Sequence, residues 1–317
     1  MNKLTIITIN YNNAIGLQKT MESVLNQTSK EFEYIVVDGT PQPPKGGVVA
    51  DREVLSQFLF EKLHTENGFT RCIWLSPSRG VGGGQRVGGG FFSEPDSGIY
   101  NAMNKGIRMA KGDYIHFLNS DDWLVDAFVV ENMLKELNSL INSGSQPDIF
   151  VGNKIMVRPD GKVRYGRNDK RPVTALTFYR GTIEHTSAYI RKAMFDVVGM
   201  YDETLRIVSD YKWYFDAVLN HNALVVFTDT YVSYFDNTGI SSTNLTLDKA
   251  ERRQVLEQML PPAVLADYDR YHFAIDQHER LRRYPLLYKL VYLTERILFK
   301  FDKWNAKYWG WKNSSWL

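Results

Sequence analysis

Acidic side chains stand at three points where an apolar run gives way to a loop or a helix: Asp38, the adjacent pair Asp121 and Asp122, and Asp210. A carboxylate placed there is costly to desolvate unless something uses it. A close acidic pair suits a hard divalent cation, Mg2+ or Mn2+, which takes oxygen ligands and commonly shares them with substrate phosphates. A nucleotide would be the source of those phosphates. On spacing alone, Asp121 or Asp122 serves equally well as the N-cap of a helix starting near Val125, and one of them could do each job. His185, in the polar stretch IEHTS, is a further candidate, although one His provides no metal-ligand spacing. The Gly-rich RGVGGGQRVGGG, with seven Gly from 80 to 90, lacks both the dinucleotide spacing with a following helix and a terminal Gly-Lys-Ser/Thr. It reads as a flexible loop.

The elements that must position these residues alternate. Residues 3–9 (KLTIITI) are a β-branched strand, NYNN is a loop, and Leu17, Met21, Val24 and Leu25 fall at helical spacing. A second apolar run, Tyr34 to Val37, ends at Asp38-Gly39, so the first forty residues form a β-α-β unit. Open parallel sheets bind ligands at such strand C-termini. The pattern is weaker from Pro41 to Phe92, where 52–63 reads as a helix and 72–75 as a strand. A helix over Gly98 to Ala110 closes at Lys111-Gly112. A buried strand, Tyr114 to Leu118, runs into NSDD at 119–122. A helix from Val125 to Leu140, a strand over Ile149 to Val157, a hairpin turn at Asp160-Gly161 and a strand at Ala188 to Arg191 follow. DYKWYFDAVL from Asp210 is helical, Leu224 to Phe227 is a strand, and 235–242 is a polar loop. Beyond it the pattern is helical only, and Pro261-Pro262 and Pro285 divide it into three helices. Strands alternating with helices make the class α/β.

Composition narrows the function classes. Among 317 residues, 44% are hydrophobic and 23% charged, which excludes disorder, and the net charge of +2 leaves no nucleic-acid footprint. Cys72 is the only cysteine, so no intrachain disulfide forms and a reducing, cytoplasmic compartment is expected. The N-terminal apolar run is too short for a secretory h-region, and Lys289, Glu295 and Arg296 interrupt the longest apolar stretch, so no membrane-spanning helix is expected.

Together the motifs ITIITINYNN, IVVDG (35–39), SEPDSGIYNAMNKGIRMAKGDYIHFLNSDDWL (93–124) and VGMYDETLRIVSDYKWYF (198–215) resemble family 2 glycosyltransferases of the GT-A fold. They cover most of residues 3–242 in family order. The resemblance implies a GT-A catalytic domain over 1–242, a Rossmann-like nucleotide-binding unit with a mixed central sheet, and a C-terminal helical region over 243–317. It implies inverting transfer of a sugar from a nucleotide-diphosphate donor, a UDP-sugar favoured over a GDP-sugar, to an acceptor hydroxyl. Tyr11 and Asp38 would hold the base, and Asp96, Asn104, Lys105 and Ser120 would contact the donor. The family's DxD motif falls on Asn119-Ser120-Asp121, so Asp121 matches the metal ligand. Asn119 departs from the pattern there, and Asp122 is placed to compensate. Met103 stands at the family's arginine position, and Lys105 supplies a positive charge toward the diphosphate. Asp210 matches the catalytic base. His185 matches a His that similar sequences carry ahead of the next strand, and GISS at 239–242 resembles a loop closing near the diphosphate. The departures at Asn119 and Met103 keep open a catalytically silent nucleotide-sugar binding or scaffold protein. A nucleotidyltransferase is a third reading, although its Gly-rich activating loop near the N-terminus is missing.

The tail carries a different signal. Residues 280–317 hold nine Lys/Arg against two acidic residues, a net +7, which leaves −5 on the first 279. On a helix, Lys289, Arg296, Lys300, Lys303 and Lys307 make one basic stripe beside an apolar face of Leu287, Leu290, Val291, Ile297, Leu298 and Phe301. Trp304, Trp309, Trp311 and Trp316 crowd the end. A basic amphipathic helix with aromatic margins suits a membrane interface. The alternative is packing on the catalytic domain or on a second copy in a homo-oligomer. With the resemblance, the expected acceptor is a lipid-linked glycan in cell-surface polysaccharide assembly. The expected place is peripheral, on the cytoplasmic face of the inner membrane.

Overall fold

The computed structural model describes residues 4–39, 71–75, 91–92, 97–237 and 239–309. The expectations for Asp96, for a helix over 52–63 and for the Gly-rich 80–90 segment lie outside these residues. The chain divides into two compact units, Met1–Met259 and Leu260–Leu317.

The first unit is built on one mixed sheet. Its strands are β1 (Leu4–Asn10), β2 (Phe32–Asp38), β3 (Arg71–Leu75), β4 (Phe91–Phe92), β5 (Tyr114–Phe117), β6 (Trp123–Leu124), β7 (Ile149–Val157), β8 (Val163–Tyr165), β9 (Ala188–Arg191) and β10 (Val225–Asp236). Their order is β4-β3-β2-β1-β5-β9-β7-β10-β6, with β8 added on β7. The β4-to-β5 half is parallel. β9 runs antiparallel to β5 and β7, and β10 runs parallel to β7. The helices are α1 (Ala14–Leu25), α2 (Ile99–Met109), α3 (Val129–Asn142), α4 (Ala175–Arg180), α5 (Met194–Val198), α6 (Ser209–Leu219), α7 (Ile240–Thr243) and α8 (Leu245–Met259), then α9 (Pro262–Arg282) and α10 (Pro285–Trp309) in the second unit.

Both β1 and β2 are buried along their whole length, as a parallel strand covered on two faces must be. On one face, α1 and α3 bring Leu17, Met21, Val24, Met133 and Leu137 onto Leu4, Ile6 and Phe150. Each such side chain fully removed from water contributes roughly 1.5–3 kcal/mol. On the other face α2 lies so close that a Cβ on Gly106 would stand 2.7 Å from Ile7 Cγ2, and strand alternation turns Ile7 away from Ile6. An alanine at 106 would push α2, and everything it carries, off the sheet.

Two sequence expectations need correction. The helix expected from Val125 begins at Val129. Trp123 and Leu124 pair instead with Tyr234 and Ser233, and Asp126 Oδ1 accepts from the Phe128 N–H at 2.8 Å. The N-cap Phe128 has no side-chain cap, so neither Asp121 nor Asp122 caps this helix. The polar loop expected at 235–242 is the last part of β10 followed by α7. β10 reaches Asp236 because two register irregularities between Phe227 and Ser233 let it stay paired with β7. Beyond residue 242, where the helical region is expected to start, α8 is tied to the segment ahead of α6 through Glu251, and the first compact unit runs to Met259.

Both helices of the second unit begin at proline, whose fixed φ and missing N–H suit a first helical turn. Along α10, Leu286, Leu290, Ile297, Leu298, Phe301 and Trp304 are exposed, as are Lys289, Arg296, Lys300 and Lys303. Among the described residues no helix is long and apolar enough to cross a membrane.

Candidate active site

A cleft of about 720 Å3 opens at the C-terminal ends of β1, β5 and β10. Its walls come from the turn after β1, the start of α2, the Asn119–Asp122 turn, the 203–206 loop and the end of β10.

The NYNN stretch assigns one task to each residue. Asn10 ends β1 opposite Asp38 and donates through Nδ2 to Asp38 Oδ1 at 3.0 Å, both groups being buried. Tyr11 stands exposed on the cleft wall. Asn12 takes a left-handed φ of +53°, which Asn tolerates better than most residues, and this turns the chain into α1. Asn13 caps α1, its Oδ1 accepting from Gly16 N at 2.9 Å, while its Nδ2 donates to Asp121 Oδ2. Asp121 itself has φ +79°, a conformation that costs of order 1 kcal/mol in a non-glycine residue. Its carboxylate rests on Gly16, where a Cβ would lie 2.1 Å from Asp121 Oδ1. The glycine is therefore what allows the carboxylate to reach the N-terminus of α1, where the helix dipole favours a negative charge.

Asp122 points the other way. It is 5% exposed and accepts from the backbone N–H of Asp236 at 3.0 Å. Burial pushes its carboxyl up to about 8, against the pull of the Asp236 N–H and Lys154. Asp236, brought in by β10, lines the cleft with Asp121. Lys19 sits over the Trp123 ring, its Nζ 3.0 Å from the centroid. Burial lowers its ammonium, while Asp236, Asp121 and Asp122 together oppose that shift. Asn119 Oδ1 is shielded from solvent, with no hydrogen-bond partner among the described residues. Among the described residues no three His, Cys, Asp or Glu side chains form a ready-made ligand set. Asp121, Asp236 and the Asn119 amide offer oxygen donors on one cleft, which fits a hard cation completing its shell with substrate phosphates.

At the far wall, Asp210 lies in the first turn of α6. Tyr100, buried on α2 and lining the cleft, places its hydroxyl 2.8 Å from Asp210 Oδ1 and 2.5 Å from the Ile207 carbonyl. Burial first, and then Asp210, raise this phenol well above its ordinary value, so it remains a donor. His185 stacks on Phe117 and its Nε2 is 3.2 Å from the Tyr201 hydroxyl. Burial lowers its imidazole, with Asp210 opposing, so it is neutral at pH 7.

The structure brings Tyr11, Asn119, Ser120, Asp121 and Asp122 onto one cleft, whereas Asp38, Asn104, Lys105, His185 and Asp210 are not among the residues that line it. Asp210 reaches it through Tyr100. Asn104, which the resemblance assigns to the donor, makes its contacts within the protein. It is buried and spends its amide on the Tyr201 backbone, donating to the carbonyl at 2.9 Å and accepting from the N–H at 3.0 Å, and it also donates to Glu203 Oε1 at 2.8 Å. Sequence reasoning missed Asn13, Gly16, Tyr100 and Asp236. Asp236 had a usable signal, because Phe235-Asp236 ends an apolar run as Val37-Asp38 does. Asn13 had its place ahead of a helix. Tyr100 gave none beyond its apolar period.

Comparison with known proteins agrees with this architecture. Residues 91–199 match the profile of glycosyl transferase family 2. An uncharacterized glycosyltransferase of Rickettsia bellii is 30% identical over 67% of this chain, which spans 27% of that relative's length. The PGL/p-HBAD biosynthesis glycosyltransferase of Mycobacterium bovis is 26% identical over 75% of this chain and 79% of its own. Among solved structures, S. aureus TarS 1-349 in complex with UDP superposes with a TM-score of 0.54 at 17% identity, over 86% of this chain and 72% of that one. The mannosyltransferase PcManGT of Pyrobaculum calidifontis, in complex with GDP-Man and Mn2+, gives 0.50 at 12% identity, over 80% and 63%. At these identities the likeness establishes the fold, a mixed α/β GT-A sheet.

Proposed function

The chain belongs to the family 2 glycosyltransferases, and from that premise we propose that it moves a sugar from a nucleotide-diphosphate donor, a UDP-sugar favoured over a GDP-sugar, to an acceptor hydroxyl with inversion at the anomeric carbon. The observation that carries this reading is one cleft lined by Tyr11, Asn10, Asp121, Asp236 and Tyr100, with Asn10 bonded to Asp38 and Tyr100 to Asp210. An aromatic ring suits a nucleotide base, close carboxylates suit a cation on a diphosphate, and a further carboxylate suits an acceptor hydroxyl. The TarS complex with UDP and the PcManGT complex with GDP-Man support the donor class.

Asp210 takes the proton of the acceptor hydroxyl as that oxygen attacks the anomeric carbon and the bond to the diphosphate breaks. The hydrogen bond from Tyr100 fixes the direction of one carboxylate oxygen and leaves the other for the acceptor. Asp121 and Asp236, with Asn119 Oδ1, would hold a divalent cation, which supplies electrostatic stabilisation to the departing diphosphate. Lys19 adds a resident positive charge beside the same carboxylates. Asp122 holds the end of β10 by accepting from the Asp236 N–H.

For the second unit, we propose that α10 rests on an anionic lipid surface, which makes a lipid-linked glycan the natural acceptor. Its apolar side chains are exposed beside four exposed cations. The central test is nucleoside diphosphate release from a panel of nucleotide sugars with Mn2+, Mg2+ or EDTA. Release from a UDP-sugar that EDTA and Asp121→Ala each cut by roughly 100-fold is expected. Nucleotide binding without release from any donor would instead identify a binding protein.

A further inference from the structure

We infer that Glu251, on α8 and outside every motif in the sequence, positions the segment that presents Asp210. Its carboxylate is 7% exposed and accepts three backbone hydrogen bonds from consecutive residues: Arg206 N at 2.8 Å to Oε1, and Ile207 N at 2.9 Å and Val208 N at 3.2 Å to Oε2. These residues lead directly into α6, whose N-cap is Val208 and whose first turn holds Asp210. From the other side, the Tyr100 hydroxyl meets the Ile207 carbonyl and Asp210 Oδ1. Both polar groups of Ile207 are thus engaged, its N–H by α8 and its C=O by α2.

This clamp has a chemical consequence. Tyr100 has one proton to share between the Ile207 carbonyl and the Asp210 carboxylate. The position of Ile207 therefore sets how that proton is divided between the two oxygens, and hence which way the Asp210 carboxylate faces. Glu251 holds Ile207 still. Without it, the N–H groups of Arg206, Ile207 and Val208 lose their acceptor, the segment shifts to find new partners, and the direction of Asp210 changes. Glu251 touches no substrate in this scheme and acts only through Asp210.

The inference rests on Asp210 being the base, and a double-mutant cycle keeps the two claims apart. Nucleoside diphosphate release and UDP binding are measured for the full-length wild type, Glu251→Gln, Asp210→Asn and the double variant, with turnover expressed per UDP-binding site. Glu251→Gln is expected to lower kcat about 30-fold, with KM for the donor and UDP affinity within about two-fold, as misplacing a reacting group by an ångström does. In the Asp210→Asn background the same change is expected to cost less than about two-fold. Glu251→Asp keeps the charge but withdraws the oxygens by one methylene, and is expected to lose about three- to ten-fold with folding preserved. Equal losses in both backgrounds, a change confined to KM, or wild-type kcat in Glu251→Asp together with Glu251→Gln would overturn the inference. Full activity in Asp210→Asn would instead remove the base assignment. If Glu251→Gln does not fold, the cycle is run with Glu251→Asp and decided by the same criterion.

Discussion

The two units treat polar and apolar groups in opposite ways. In the first, the carboxylates that matter are buried or half-buried and each is held by named partners: Asp38 by Asn10, Asp121 by Asn13, Asp122 by the Asp236 N–H, Asp210 by Tyr100 and Glu251 by three amides. In α10 the cations stand in solvent and the large apolar side chains are exposed beside them, Leu286 at 85% and Phe299 at 68%. Fixed polar groups make a site for chemistry, because their orientation is settled before a ligand arrives. An exposed apolar and basic helix makes a surface for association, because its driving force is apolar area and charge rather than direction.

The contrast can be broken at either side. Asp210→Asn has the largest expected effect, a fall in turnover of roughly 1,000-fold with UDP binding retained, read as nucleoside diphosphate release beside a binding titration. Next is the tail. Changing Lys289, Arg296, Lys300 and Lys303 together to Glu in the full chain is expected to weaken pelleting with vesicles containing 30% phosphatidylglycerol by roughly 100-fold, at about 1 kcal/mol for each lost contact before screening. Turnover on a water-soluble acceptor should be unchanged. Equal pelleting of both proteins would end the lipid-surface proposal.

Gly16→Ala sharpens the first side. A methyl at 16 displaces the Asp121 carboxylate yet improves the helix propensity of α1, so turnover should fall about 10-fold while the thermal midpoint stays within a few degrees. The smallest effect belongs to Asp202. Burial alone would raise its carboxyl, but hydrogen bonds from Lys212 and Thr204 prevail and hold it at about 2. A carboxyl depressed in the folded state stabilises above its unfolded value near 4 and loses that contribution as pH falls toward 2. Asp202→Asn should therefore cost about 0.5–1 kcal/mol at pH 7, and the gap between the two melting curves should narrow between pH 4 and pH 2.

Much of this was legible from residue order. Apolar runs over 34–37, 114–118 and 188–191 mark strands in the sheet, and Leu17, Met21, Val24 and Leu25 mark the buried face of α1. The prolines at 262 and 285 open the last two helices. The beginning of α3 and the extent of β10 were misread, because β6 is two residues long and β10 passes through irregular register. Neither leaves a clean period.

By itself, the order of residues determined the alternation of strands and helices and set Asp38, Asp121 and Asp210 where buried elements meet loops. Both follow from local burial, which leaves a period in the chain. Only the tertiary structure decided that Gly16 makes room for Asp121, that Asp236 joins Asp122 from 114 positions away, that Tyr100 meets Asp210 across 110, and that Glu251 closes on residues 206–208. Such meetings depend on strand order and loop closure. A polar residue used once, in one contact, has no period to announce it.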